Sequence, residues 1–202
     1  MYSIFLSRNF KFSSNFFISD DTNRWIMRWL NRPTFEQFRP LRRDAGVFYN
    51  GSFIVRAQLY GGRLIGYELT LHTDRPFGYA EAEEYAFTVN ANGIYTLVDS
   101  SDEIGDIYPT MEVTCGSAGT LTITNSMDAN WSTVITDCAA NEVITFNHPI
   151  VTTSSTTHTI QDCFNYNFPR ISNTYDANTN TFTFSLPCSV TMSYNPIRKL
   201  GI

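Results

Sequence analysis

Between Ser19 and Asn31 the apolar residues Trp25, Ile26, Trp29 and Leu30 recur at helical spacing along one face, which predicts an α-helix there. Ser19 supplies a capping oxygen and Asp20 and Asp21 place carboxylates at the positive end of the helix dipole. Arg24, Arg28 and Arg32 fall four apart on the opposite face, and Pro33 forces the stop, because the residue before a proline is pushed out of the α region. After a linking stretch with Phe35, Phe38 and Leu41 the period changes to two. Phe53, Val55, Ala57 and Leu59 alternate with Ile54, Arg56, Gln58 and Tyr60; Gly61-Gly62 makes a tight turn; Ile65, Tyr67, Leu69 and Leu71 alternate on the way back. This pattern predicts an antiparallel hairpin with one buried face. Asn50-Gly51 reads either as a second hairpin turn or as a bulge in a longer strand that includes Val47-Phe48-Tyr49.

Beyond residue 80 no helix is expected and short alternating runs dominate: Met111/Val113/Cys115, Leu121/Ile123, Trp131 to Ile135, Val143 to Phe146, Phe182/Phe184/Leu186 and Val190/Met192/Tyr194. Gly116 to Gly119, Ser126 to Asn130, Asp137 to Asn141 and Asp176 to Asn180 carry turn chemistry between them. Short strands so punctuated predict a β-sandwich or jelly roll, with the polar stretch Thr152 to Thr159 as a spacer.

Composition sharpens this division. The 202 residues are 43% apolar and 15% aromatic, enough for cores, while only 16% are charged, which suits half-buried strands. Up to Tyr79 there are eleven Lys and Arg against six Asp and Glu; from Ala80 onward there are three against thirteen. The boundary lies in Thr73-Asp74-Arg75-Pro76-Phe77-Gly78-Tyr79, giving a basic domain over 1–79 and an acidic one over 80–202. Opposite fields favour defined contacts with complementary partners. The first residues lack a basic start or a small-residue cleavage site, so no secretion signal is expected. No apolar run reaches the roughly 18 residues of a membrane span, so no membrane association is expected. Cys115, Cys138, Cys163 and Cys188 are widely spaced, without a Cys-x-x-Cys pair or a histidine couple; no metal site is expected, and reduced thiols fit better than any of the three possible pairings.

Candidate chemistry is sparse. His72, His148 and His158 sit on different predicted elements, and no nucleophile elbow, zinc motif or phosphate-cradling loop occurs, so no catalytic residue, metal ligand or cofactor is assigned. Glu81, Glu83 and Glu84 after the boundary, and Asp99, Asp102, Glu103 and Asp106 in a predicted loop, read as solvated linker and loop charges; a glycosidase would need two of them to face each other. Trp131 or Tyr175 would suit sugar stacking on a sandwich, although Trp131 also fits a core position. The Arg24, Arg28, Arg32 stripe is either a solvated face or a rim for an acidic neighbour, with nucleic acid disfavoured by the overall charge of −5.

Four phrases in order, Arg28-Trp29-Leu30-Asn31-Arg32, Tyr49-Asn50-Gly51-Ser52-Phe53, Gly61 to Leu69 and Thr73 to Tyr79, resemble the distal tail protein family of long-tailed bacteriophages. Pro109 to Cys115, Gly119 to Asn125, Glu142 to Phe146 and Ser189 to Arg198 extend the resemblance into that family's galectin-like C-terminal sandwich. The resemblance implies a mainly β chain: an α+β belt domain, one helix on an antiparallel sheet, followed by an antiparallel galectin-like β-sandwich. It implies a structural role in which belt domains form a hexameric ring joining the tail tube to the tail tip or baseplate, and sandwich domains project outward toward receptor-binding proteins. The place is the virion tail, after assembly in the bacterial host cytoplasm; no catalysis, cofactor or nucleic acid is implied. In the family a β-rich stretch precedes the helix, whereas here the helix begins after Ser19, so the expectation is a belt domain lacking its first part, as in a shortened product, a mis-assigned start or a prophage remnant. Arg24, Arg28, Arg32 and Trp29 are the candidate interface residues. A carbohydrate-binding sandwich is the alternative class, with a glycoside hydrolase behind it.

Overall fold

The computed structural model describes residues 3–5, 18–39, 46–128 and 131–199. The chain divides into two compact units, Met1–Tyr79 with Lys199–Ile202, and Ala80–Arg198.

In the first unit helix α1 (Asp20–Leu30) begins where the cap requires, with Ser19 Oγ accepting from Thr22 N at 3.2 Å. Its last turn closes when Asn31 N donates to Met27 O at 2.8 Å. Strand β1 (Ser3–Phe5) pairs antiparallel with β4 (Arg63–Thr73), which pairs in turn with β3 (Val47–Tyr60); β2 (Glu36–Phe38) and β5 (Gly78–Ala80) also pair with β3. The β3–β4 hairpin turns at Gly61 and Gly62, whose φ of 56° and 76° are left-handed values that other residues take at a cost. Its register sets Phe53 against Leu71 and Arg56 against Glu68, with one shift between Gln58 and Leu59.

Asn50-Gly51 is neither a turn nor a bulge: both lie inside β3, in register with β4 from Gly51↔Thr73 onward. The glycine is there for space, since a Cβ at Gly51 would stand 2.6 Å from Leu71 Cδ1 and 2.9 Å from His72 O. The linking stretch also differs from its reading, because β2 brings Phe38 edge-on to Phe53 with ring centroids 5.1 Å apart. Leu41 lies outside the described residues.

The second unit is strand-built. Its strands are β6 (Glu83–Val89), β7 (Gly93–Val98), β8 (Gly105–Ile107), β9 (Thr110–Cys115), β10 (Gly119–Asn125), β11 (Ser132–Cys138), β12 (Val143–Asn147), β13 (Ile150–Thr153), β14 (Ile171–Asn173), β15 (Thr179–Phe184), β16 (Cys188–Tyr194) and β17 (Ile197–Arg198). One sheet runs β11-β10-β15-β7, a second runs β13-β12-β9-β16-β6, and β8 pairs with β14. All of these pairings are antiparallel. The alternation explains the stacking of the sheets: Met111, Val113, Phe146, Val190 and Met192 of the second sheet and Leu121, Ile123, Ile135, Phe182 and Phe184 of the first belong to one buried cluster. Each such side chain contributes about 1.5–3 kcal/mol of apolar burial. Cys115, Cys138 and Cys188 join that core as free, buried thiols, and Cys163 is a free thiol half-buried in α2 (Ile160–Cys163).

Three readings of this half change. Glu83 and Glu84 open β6 instead of lying in a linker, Asp106 belongs to β8, and Asp99 is fully buried. Asn180, assigned by composition to a turn, is an inward position of β15. The segment read as helix-free contains the single turn α2.

Candidate functional site

The side of α1 that packs is not the side the apolar spacing suggested. Leu30 is 4% exposed and Ile26, Met27 and Asn23 are half-buried, whereas Trp25 and Trp29 are 68% and 57% exposed. Positions 26 and 30 lie about 100° around the helix from 25 and 29, so one row turns inward and the adjacent row outward. The inward side is fixed by two bonds to the hairpin: Tyr67 Oη donates to Asn23 Oδ1 at 2.5 Å, and Ile18 N donates to Leu64 O at 3.1 Å. The tryptophans therefore share the outer surface with Arg24, Arg28 and Arg32 instead of opposing them. Arg32 Nε donates to Trp29 O at 3.3 Å, and among the described residues no carboxylate lies within ion-pair distance of these three arginines. Phe35, 54% exposed, follows on the same chain segment.

Tryptophan and arginine are the residue types most enriched among dominant contacts of protein interfaces, where truncating one costs about 2 kcal/mol or more. Trp29 is a candidate interface residue by sequence, whereas Trp25 and Phe35 are not; the i, i+4 spacing of the two tryptophans carries the signal, but the same spacing also fits a core-facing row. On the hairpin Ile54, Leu59, Tyr60 and Ile65 are also exposed.

In the second unit Glu83, Asp99, Asp102 and Asp106 have partners within the fold. Glu83 accepts from Tyr85 Oη at 2.6 Å, Ser100 Oγ at 2.7 Å and Tyr194 Oη at 3.2 Å. Burial works against its charge, yet these hydrogen bonds and nearby Arg198 hold its carboxyl below the ordinary 4.5. Asp99 accepts from Ser101 Oγ at 2.8 Å and Asn173 Nδ2 at 3.0 Å. Arg170 clasps two carboxylates, with Nε 2.8 Å from Asp128 Oδ2 and Nη1 3.0 Å from Asp106 Oδ2; the bond to Asp128 above all raises the guanidinium pKa. Asp102 makes a looser pair with Arg198 at 3.8 Å. Glu83, Asp99 and Asp106 are thus each hydrogen-bonded or ion-paired within the second unit.

The sugar-stacking candidates separate. Trp131 is half-buried, donates from Nε1 to Phe168 O at 2.9 Å, and has the Arg170 guanidinium 4.0 Å over its ring, so a face needed for stacking is covered. Tyr175 is 92% exposed in the bend between β14 and β15. Among the histidines, His72 lies in β4, His148 stacks on Tyr108 at 4.0 Å, and His158 Nε2 sits 3.2 Å from buried Glu142 Oε1. Glu142 also accepts from Ala139 N at 2.7 Å and from Thr153 Oγ1. The stretch read as a spacer thus brings both Thr153 and His158 against a buried carboxylate, where the threonine hydroxyl donates a hydrogen bond to it. No helix among the described residues is long and apolar enough to cross a membrane.

Residues 77–194 match the family described as phage tail C-terminal domain. Among proteins of curated function no sequence matches. The crystal structure of the Dit (gp 19.1) protein of SPP1, described as a paradigm of the hub adsorption apparatus in phages infecting Gram-positive hosts, is similar with a TM-score of 0.61 at 11% identity, over 88% of this chain and 74% of that one. At that identity the likeness is one of fold. The chain belongs to the phage tail C-terminal domain family: it is a structural component of the virion tail, built on the fold of a distal tail hub protein.

Proposed function

We propose that this chain is a distal tail or baseplate hub component that joins the tail tube to the tail tip through protein–protein interfaces, with α1 as one of the joining surfaces. The observation that carries the reading is the pair of exposed tryptophans, Trp25 and Trp29, one helical turn apart beside Arg24, Arg28 and Arg32, on a basic domain followed by an acidic one. The hub described for SPP1 Dit supports it by fold. Self-association into a ring, contact with tube and tip or receptor-binding proteins, and assembly in the host cytoplasm belong to the same reading, as does a domain boundary at Tyr79.

Apolar cover of the tryptophans would supply adhesion, and the arginines would steer an acidic surface into register, a contribution that salt screens beyond about 10 Å at 0.1 M. Sedimentation of the full chain at rising concentration, in low and high salt, tests this. Trp25→Ala with Trp29→Ala is expected to abolish association or tail-protein capture, and Arg24→Glu with Arg28→Glu to remove its salt dependence. Unchanged association in both variants would sink the assignment of α1.

A further inference from the structure

A sandwich of two open sheets has four edge strands, and in this one three are protected. Along β11 the segment after α2 lies as a substitute strand: Asn165 N donates to Val134 O at 3.1 Å and Val134 N to Asn165 Oδ1 at 3.0 Å, with a bridge from Ile135 to Phe164. Strand β13 is only four residues long, and α2 packs beside it. Strand β6 carries the exposed charge of Glu84. Short length, charge and a covering segment are the usual devices against unwanted strand pairing.

Strand β7 has none of them. It pairs with β15 over its full length, Thr179↔Val98 to Phe184↔Gly93, and among the described residues its other edge meets no backbone partner. Its residues, Gly93-Ile-Tyr-Thr-Leu-Val98, include no charge and no proline, and Ile94 and Val98 are 63% and 59% exposed on its outward side. The adjoining outer positions of the sheet are Thr181 and Thr183 on β15 and Thr122 and Thr124 on β10, so the face is uncharged and rich in hydroxyl and methyl groups. This occurs in a unit with two arginines against thirteen acidic residues. Two copies of such a unit repel over most orientations, and a neutral face with an open edge is where they can meet.

We propose that the β7 edge pairs antiparallel with β7 of a second copy about a two-fold axis through Thr96, joining two four-stranded sheets into one. The segment is self-complementary in that register: Ile94 opposes Val98, Tyr95 opposes Leu97 and Thr96 opposes itself, which sets apolar beside apolar and hydroxyl beside hydroxyl with no like charges opposed. This contact is independent of α1 and uses only the second unit.

The test uses the full chain carrying Thr96→Cys, treated with a short bifunctional thiol reagent, against Thr136→Cys, an exposed position on the opposite edge strand β11, and against the unsubstituted protein, which reports the background from Cys163. The expected result is covalent dimer at 96 well above background and none at 136. In parallel, Thr96→Lys places a charge against its own symmetry mate and is expected to weaken dimerisation at least about tenfold in sedimentation equilibrium, with an unchanged circular dichroism melt because the position is exposed. Cross-linking at 96 no greater than at 136, or association unaltered by Thr96→Lys, overturns the proposal.

Discussion

Replacing Asn180 by alanine is the sharpest test of how the sandwich is held, because one side chain there satisfies a whole buried junction. Asn180 is fully buried. Its Oδ1 accepts from Asn125 Nδ2 at 2.6 Å and Ser172 N at 2.8 Å, and its Nδ2 donates to Ser172 O at 3.0 Å and Asn178 O at 3.1 Å. The side chain thereby completes the backbone pairing that β14 lacks on that side and ties it to β15 and β10. Alanine would orphan both backbone groups of Ser172, itself buried, at about 1–3 kcal/mol each, for a total of about 2–6 kcal/mol. For a unit of this size 1 kcal/mol moves Tm by about 3–6 °C, so the melting point should fall by at least about 6 °C and by up to about 36 °C. Urea unfolding followed by circular dichroism gives the free energy, and Thr181→Ala, one residue along on the outer face, serves as control within about 0.5 kcal/mol. A loss below about 1 kcal/mol for Asn180→Ala would refute the assignment of a satisfied polar hub.

Other perturbations probe other parts. Gly51→Ala should destabilise by about 1–3 kcal/mol through overlap with Leu71 and His72, whereas Gly66→Ala, with open space around the new methyl, should be neutral; equal melts would contradict the packing argument. Because the folded state holds the Glu83 carboxyl below 4.5, the unfolded chain takes up that proton first, and the stabilisation is present above 4.5 and lost as pH falls through the folded value. The stability gap between the unsubstituted protein and Glu83→Gln is therefore expected to be full near neutrality and to close in acid, as read from thermal midpoints against pH. Phe146→Ala, in the centre of the core, should cost about 3–5 kcal/mol by chemical denaturation. Arg170→Lys keeps the charge but loses the two-armed grip on Asp128 and Asp106 and the stacking on Trp131, and a melt unchanged within 1 °C would show that geometry to be incidental.

Much of the architecture was readable because strong periods leave few choices. The capped helix ending before Pro33, the Gly61-Gly62 hairpin and the strands around Val113, Ile123, Ile144 and Val190 follow from patterns that local chemistry and tertiary packing both favour. Helical spacing relates residues to one another but does not say where the sheet lies, which is why Trp25 and Trp29 were placed with Ile26 and Leu30. Strands β6 and β7 alternate plainly, through Tyr85, Phe87 and Val89 and then Tyr95 and Leu97, yet the acidic start at Glu83 and Glu84 masked the first of them. Asn180 could not have been recognised as buried, since its partners Asn125 and Ser172 lie elsewhere in sequence and a single Asn among threonines carries turn chemistry by default. The Arg24, Arg28 and Arg32 stripe was legible; its sharing a surface with two tryptophans required the fold.

The three core cysteines have a practical corollary. Cys115, Cys138 and Cys188 are sealed between the sheets, and contact with the Cys115 thiol, together with burial, pushes Cys138 in particular far from the thiolate form. A folded chain therefore offers a thiol-reactive dye one site, Cys163, while the remaining three become labelled only when the sheets separate. The molecule contains its own unfolding clock: the delayed phase of dye uptake measures how often the two layers part, without any added probe, and gives a readout by which tail proteins from heat-stressed or maturing virions can be compared.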